Sequence, residues 1–290
     1  MNLLHLKYFY VVAKEQGFTK ASRVLRVQQP AISRMVDQLE DYFGFPLFER
    51  VGRNIQLTAR GQEVFERCKT IFEEVDNLEK LAGSLSGECQ GPLACAASEP
   101  VASHLVPEIL EKLVFKYPKL YPSIYSGPAT MLLDRIASGE LEFGLFFHIP
   151  HLPPKLKMTP IRKVRFHLVV RKDLRRNTQV LERFIGSREI DDSATRTFPT
   201  LEKLKRIYPK AKIWISSNNL TAHRNMVLNG LGVSVLPDFL IAEDLKQGRL
   251  SDVLPKEKLE FDLKLVERQT SVRSLNAQTF IDELNRHSGD

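Results

Sequence analysis

With 290 residues the chain has room for two domains, and its formal net charge of +7 suits an anionic partner. The 43% hydrophobic and 27% charged content is that of a globular protein, and no apolar run approaches the roughly 20 residues that span a bilayer, so a membrane partner is not expected. Three cysteines, Cys68, Cys89 and Cys95, are too few for a disulfide framework, and MNLLHLKYFY lacks the basic leader and small-residue cleavage site of a signal peptide, so a reducing, cytoplasmic location is expected.

Residues 3–16, LLHLKYFYVVAKEQ, are apolar with helical spacing, and Gly17 is the expected stop. Thr19 stands where an N-cap belongs, opening a second short helix over TKASRVL. A tight turn around Arg26 to Gln28 leads into a third helix that ends before Gly44. There Ile32, Met35, Val36 and Leu39 line one side, while Gln29, Ser33, Arg34 and Asp37 line the other. The runs LFER and IQLT flank VGRN and predict a hairpin. Thr58 then caps a long helix from about Ala59 to Leu85. Within it Val64, Cys68, Ile71, Val75, Leu78, Ala82 and Leu85 form a heptad seam that predicts self-association. The small, polar stretch GSLSGECQG reads as a hinge. Charge follows these divisions. Residues 1–60 hold nine Lys/Arg against five Asp/Glu, residues 61–90 three against seven, and residues 91–290 thirty against twenty-three.

From Pro92 strands and helices alternate: PLACAAS, SHLVPEILEKLVFKYP, LYPSIYSG, ATMLLDRIASGE and EFGLFFH read as βαβαβ, the pattern of a mostly parallel sheet. A second unit follows with the strand RFHLVVRK, a helix around LERFIG, the helix TLEKLKRIY, the strand KIWISS, the helix LTAHRNMVLNG and the strand GVSVLP. The helix DFLIAEDLKQG, the strand FDLKLVERQT and the helix LNAQTFIDELNRH complete the chain. Two such lobes leave a cleft in which ligands bind.

Three short helices with a tight turn between the second and third, followed by a hairpin, make a winged helix-turn-helix. In that arrangement the N-terminal end of the third helix faces base edges in the major groove. Gln29 can bond adenine N6 and N7 as a pair. Pro30 sets the first turn and offers apolar surface to a thymine methyl, and Ser33 and Arg34 share the exposed face. Arg50 and Arg53 flank the Gly52 turn, suited to a minor groove or phosphate. Lys20, Ser22 and Thr58, at helix starts, are candidate phosphate contacts.

These residues carry a resemblance. HLKYFYVVAKEQGFTKASRVLRVQQPAISRMVDQLEDYFGFPLFERVGRNIQLTARG resembles the DNA-binding domain of LysR-type transcriptional regulators, and GLGVSVLP, with SHLVPEILEKLVFKYP and SGELEFGL, resembles their effector domain. Gln28 departs from the Ser or Thr usual at the N-cap of the recognition helix, and Gln caps poorly. The resemblance implies an N-terminal all-α winged helix-turn-helix domain over 1–58, a linker helix and hinge over 59–90, and a two-lobed, periplasmic-binding-protein-like α/β effector domain over 91–290. Its lobe 1 covers about 91–162 and 271–290, and its lobe 2 about 163–270. Implied partners are double-stranded DNA, a small-molecule effector, further copies in a homodimer or homotetramer, and RNA polymerase. By position, the implied effector contacts are Ser98 and Glu99, with Pro100 replacing a usual hydroxyl residue. Pro128, Ala129 and Thr130, then Phe147 and His148, and from lobe 2 Thr197 and Phe198, complete the set. The basic balance of 91–290 suits an anionic metabolite. Glu99, if it points inward, disfavours a simple dicarboxylate unless Arg188 or Arg196 offsets it.

Two other classes compete. For an enzyme, His148 and His151 stand three apart among prolines without Cys or carboxylate partners, and no G-x-S-x-G, P-loop or dinucleotide fingerprint is present. Neither a catalytic residue, a metal nor a cofactor is expected. Cys89 and Cys95 flank the hinge and allow a redox switch. A solute-binding protein would suit the α/β half but not the helix-turn-helix.

Overall fold

The computed structural model describes residues 1–52, 54–85, 87–187, 204–270 and 272–286, except the side chains of 83–85. The chain divides into two compact units, Met1–Ala82 and Gly83–Asp290.

In the first unit α1 (Leu3–Glu15), α2 (Phe18–Leu25) and α3 (Gln29–Phe43) precede a hairpin of β1 (Phe48–Val51) and β2 (Asn54–Leu57), and α4 (Ala59–Leu85) follows. The apolar faces of the three short helices meet in one core of Leu6, Phe9, Val12, Ala21, Ile32, Val36, Leu39 and Leu47. Phe9 and Phe18 both set their rings against Phe48, at 5.4 and 5.8 Å, which ties the hairpin to α1 and α2. Two expected boundaries shift. Helix α1 ends on Gln16 in the left-handed region, with φ 53°, so it stops one residue before Gly17. Helix α2 begins at Phe18, making Gly17 its N-cap. Thr19 therefore lies inside the first turn and caps nothing.

The linker helix is not a separate body at its start. Cys68 is fully buried and Val64 half-buried in the core that α1–α3 build. Tyr10 of α1 stacks on Phe65 at 5.3 Å and meets Phe72 tilted at 5.2 Å. These contacts turn the first two seam positions inward, so Val64 and Cys68 serve this unit's own packing and not a partner helix. Further along, Ile71 and Leu78 are exposed, Leu81 beside them is exposed too, Val75 is half-buried and Ala82 is open to solvent. The side chain of Leu85 lies outside the described residues.

The second unit opens with β3 (Gly91–Ala97), a π-helical turn (Val101–Leu105), α5 (Val106–Lys116), β4 (Leu120–Tyr125), α6 (Ala129–Ala137) and β5 (Phe143–Phe146). Strand β3 lies between β4 and β5, parallel to both. Strand β6 (Leu156–Arg171) then runs for 16 residues. It is followed by α7 (Thr178–Leu181), β7 (Arg183–Gly186), β8 (Lys212–Ser216), α8 (Leu220–Leu228), β9 (Ser234–Pro237), α9 (Asp238–Lys246), β10 (Leu250–Asp252), β11 (Leu259–Arg268) and α10 (Leu275–Arg286). Strands β7 and β8 are parallel, and the bridge Phe184↔Val233 sets β7 alongside the start of β9. The expected parallel pattern holds for these groups only. Strands β9, β10 and β11 all pair with β6 antiparallel, and β11 pairs antiparallel with β5.

Strands β6 and β11 pass through both lobes and join them. Their ladder shifts register between Leu263 and Lys264, opposite Arg162 and Pro160. A bulge of this kind bends a strand. On β11, Lys264–Glu267 pair with β5. The segment LERFIG is also corrected: only its first residue is helical, since Phe184 and Ile185 are buried in a strand paired with β8. Of TLEKLKRIY, residues 204–207 are helical and residues 200–203 lie outside the described residues. Among the described residues no helix is long and apolar enough to cross a membrane.

Candidate nucleic-acid interface and effector cleft

The turn between α2 and α3 is built by Arg26, whose φ of 54° reverses the chain while Val27 N donates to Ser22 O at 3.2 Å. Gln28 follows in extended conformation as the N-cap of α3 and makes no side-chain capping bond, as its type predicts. Ile32, Val36 and Leu39 are buried below. The side chains of Gln28, Gln29, Pro30 and Arg34 are therefore exposed together at the helix start, with Ser33 half-buried beside them. Lys20 and Arg50 are exposed. Arg53 lies outside the described residues. Two hydroxyls expected at phosphate are committed internally. Ser22 Oγ donates to Thr19 O at 2.8 Å. Thr58 Oγ1 donates to Pro46 O at 2.8 Å and accepts from Gly61 N at 2.9 Å, so it caps α4. Sequence reading missed Glu40. Its Oε1 accepts from Leu47 N and Phe48 N at 2.6 and 3.0 Å, which fixes where the wing leaves the recognition helix. Its only sequence signal is a carboxylate at the end of α3, just ahead of the wing.

In the second unit three predicted loops follow adjacent parallel strands. Ser98 and Glu99 follow β3, Pro128 to Thr130 follow β4, and Phe147 and His148 follow β5. Because β3 lies between the other two, all three loops gather at the carboxyl edge of lobe 1, where ligands bind in open α/β sheets. Ser98 N donates to Leu145 O at 2.9 Å, which holds the first loop against β5, just ahead of the third. The Oγ of Ser98 is closed off from solvent and has no hydrogen-bond partner. Phe147 is half-buried, edge-on to Phe166 at 5.1 Å and stacked on Phe239 of lobe 2 at 6.3 Å. Thr130, Pro128 and His148 are exposed, and Ala129 packs against lobe 1's own core. Thr197 and Phe198, with Arg188 and Arg196, lie outside the described residues.

Glu99 points inward, to the start of α8. Its Oε1 accepts from Thr221 Oγ1 at 2.7 Å and from Ser103 Oγ at 3.3 Å, and its Oε2 accepts from Thr221 N at 3.4 Å. Thr221 sits in the first turn of α8, whose N-cap is Asn219, with Oδ1 accepting from Ala222 N at 2.7 Å. A carboxylate at a helix N-terminus is stabilised by the backbone dipoles there. Sequence reading missed Thr221. The signal was available in Asn219, a preferred N-cap residue immediately before a periodic run.

Behind this contact His223 is 2% exposed. Its Nε2 faces Ser217 O at 2.8 Å, which only accepts, so that nitrogen carries the hydrogen. Its Nδ1 is 3.2 Å from Ser234 Oγ, which donates to Ile185 O at 2.8 Å. Burial pushes the His223 pKa below its ordinary 6.5, against smaller opposing effects of the Ser217 carbonyl and Glu99. A lowered folded pKa means that this histidine contributes stability above pH 6.5 and that the contribution is lost as pH falls below it. The melting temperature of wild type should therefore fall more between pH 7.5 and pH 5.5 than that of His223→Gln. Parallel pH profiles would remove His223 as the source.

The cysteines are poor redox candidates. Cys68, Cys89 and Cys95 are all buried, and burial pushes the Cys68 and Cys95 thiols up to about 11 and about 12. Cys89 Sγ is 3.2 Å from Thr279 Oγ1.

Residues 3–62 match the family model described as bacterial regulatory helix-turn-helix protein, lysR family, and residues 86–289 match the LysR substrate binding domain. The chain belongs to the LysR family. Its members are DNA-binding transcriptional regulators with an effector-binding domain, and they form oligomers; this chain is such a regulator and not an enzyme. The HTH-type transcriptional activator CmpR of Synechocystis sp. is 29% identical, with 98% of this chain and 95% of that protein covered. Full-length OxyR from Pseudomonas aeruginosa shares the fold with a TM-score of 0.65 at 23% identity, over 98% of this chain and 94% of that one. DarR of Vibrio fischeri, solved in complex with DNA, aligns with a TM-score of 0.54 at 21% identity, over 98% of each chain. The two-lobed α/β unit is accordingly the periplasmic-binding-protein-like effector domain of this family.

Proposed function

We propose that this LysR-family regulator reads DNA with the start of α3 and is switched by a small molecule held between the two lobes. The observation that carries the DNA reading is the joint exposure of Gln28, Gln29, Pro30 and Arg34 above a buried Ile32–Val36–Leu39 face. Gln29 reads a base edge, and Arg34, Lys20 and Arg50 hold the backbone. Ser33 supports the same face. The exposed part of the α4 seam, Ile71, Leu78 and Ala82, with Leu81 beside it, joins two copies into a dimer, and dimers pair into a tetramer. Effector occupancy changes the angle between the lobes, and through the oligomer the spacing of paired recognition helices and the bend of the DNA. A coupling of about 1–3 kcal/mol suffices. RNA polymerase is the onward partner, and the cytoplasm is where the protein works.

A footprint on the DNA upstream of its own gene, taken with and without a metabolite panel, tests both halves. Gln29→Ala should lose about 1–3 kcal/mol of preference at one base position while keeping nonspecific affinity. An unchanged preference at every position would remove Gln29 from the groove.

A further inference from the structure

We propose that the effector carries a cationic nitrogen, an ammonium or guanidinium group, that pairs with Glu99 in the interlobe cleft. The proposal rests on the reading that this cleft is the effector site. The net charge of 91–290 favours an anion, but it is an average over a surface, and the cleft has its own chemistry. Glu99 is held by two neutral residues, Ser103 and Thr221, and has no cationic partner among the described residues. Among the described residues its charge is thus oriented but not neutralised, which is what a ligand cation complements.

The same contacts work against a ligand carboxylate. The first-turn donors of α8 would be the natural seat for an anion. Thr221 N and Thr221 Oγ1 are already given to Glu99, and Ala222 N to Asn219. An anion would have to displace a tethered carboxylate and then sit beside it. A cation gains from Glu99 without breaking any of these bonds. Two neighbouring features suit the rest of such a ligand. The Oγ of Ser98, next in sequence, is enclosed and unpartnered, and a hydroxyl there can donate or accept. Phe147 lies two residues past Leu145, the acceptor of the Ser98 amide, and with Phe239 it supplies aromatic surface from both lobes. Aromatic faces stabilise ammonium and guanidinium groups.

The test uses the full-length protein with agmatine, putrescine, L-arginine and choline against succinate, glutarate, 2-oxoglutarate and benzoate, read by thermal shift and then calorimetric titration. At least one cationic probe should bind wild type, and Glu99→Gln should weaken it at least about ten-fold while keeping its fold and duplex binding. The proposal is overturned if no cationic probe binds, if a carboxylate lacking a cationic nitrogen binds wild type more tightly than every cation, or if Glu99→Gln leaves a cationic hit unchanged. Ser98→Phe, checked for retained duplex binding, separates this outcome from failure of the cleft reading. Ligands that ignore Ser98→Phe bind elsewhere, and the cleft reading itself then falls. Ligands lost in Ser98→Phe but not in Glu99→Gln sink the charge assignment alone.

Discussion

Gly61→Ala should abolish duplex binding and lower the melting temperature of the first unit by about 10 °C or more, although alanine is the better helix former. Helix propensity favours the substitution by about 1 kcal/mol. Against it, a Cβ at position 61 would stand 2.0 Å from Leu47 O and 2.9 Å from Leu47 C. The obstacle is backbone, so no side chain can swing aside. Relief requires a shift of about 1 Å or more between α4 and the start of the wing, and overpacking of this kind costs about 3 kcal/mol or more. Leu47 cannot yield easily. Its N–H is held by Glu40 at 2.6 Å, its carbonyl receives Thr58 N at 3.0 Å, and its side chain is fully buried. A displaced Leu47 drags Phe48, and Phe48 carries the ring contacts to Phe9 and Phe18. Gln62→Ala, on the exposed face of the same turn, is the control and should match wild type. Equal melting temperatures and equal duplex affinity for Gly61→Ala and wild type would show that α4 does not press on the wing.

How far the sequence reaches depends on whether a residue has one use for its chemistry or several. The recognition face was legible because Ile32, Val36 and Leu39 repeat at helical spacing. A buried stripe fixes its opposite, so Gln29, Pro30 and Arg34 had to be outside. The linker seam was legible only as a stripe. Apolar residues at spacings of three and four pack equally well against a partner helix or the chain's own core. Only the rings of Tyr10, Phe65 and Phe72 decide that Cys68 turns inward while Leu78 stays open. Thr58 has the right chemistry for both an N-cap and a phosphate contact, and its hydroxyl is spent on the first. The first half of β6 was invisible because LKMTPIRK carries little apolar alternation. It is a strand through its ladder with β11, a partner about a hundred residues away. Glu99 shows the same limit at the site. Its type was readable, but its direction depends on Thr221, which the fold brings from 122 residues further along the chain.

Gly232→Ala should separate the two functions of the molecule: duplex binding is kept, and the response to effector is lost. The residue belongs to the run GLGVSVLP, and its role is close approach. A Cβ there would stand 2.2 Å from Arg183 O and 3.2 Å from Arg183 C. That carbonyl accepts Val233 N at 2.9 Å, and Ile185 N donates back to Val233 O at 2.8 Å. These two bonds are how β7 is set beside the start of β9. Pushing Arg183 away breaks them and opens the core in which Phe184, Ile185, Val233 and Leu236 are buried. Two lost buried backbone bonds at about 1 kcal/mol each, added to the overlap, amount to about 3–5 kcal/mol. That is a large part of the roughly 5–15 kcal/mol that holds a domain together. The damage also reaches the other lobe's contact with Glu99, because Ser234 Oγ donates to Ile185 O and lies 3.2 Å from Nδ1 of His223, and His223 lies in the helix whose first turn meets Glu99. The first unit has its own core of Phe9, Ile32, Leu39 and Leu47 and contains no part of this network. Calorimetry should therefore show the transition of the second unit moved down and that of the first unchanged, with a footprint that no longer responds to effector. A single transition shifted as a whole would mean that the units unfold together, and an effector response equal to wild type would mean that β7 and β9 tolerate the added methyl group.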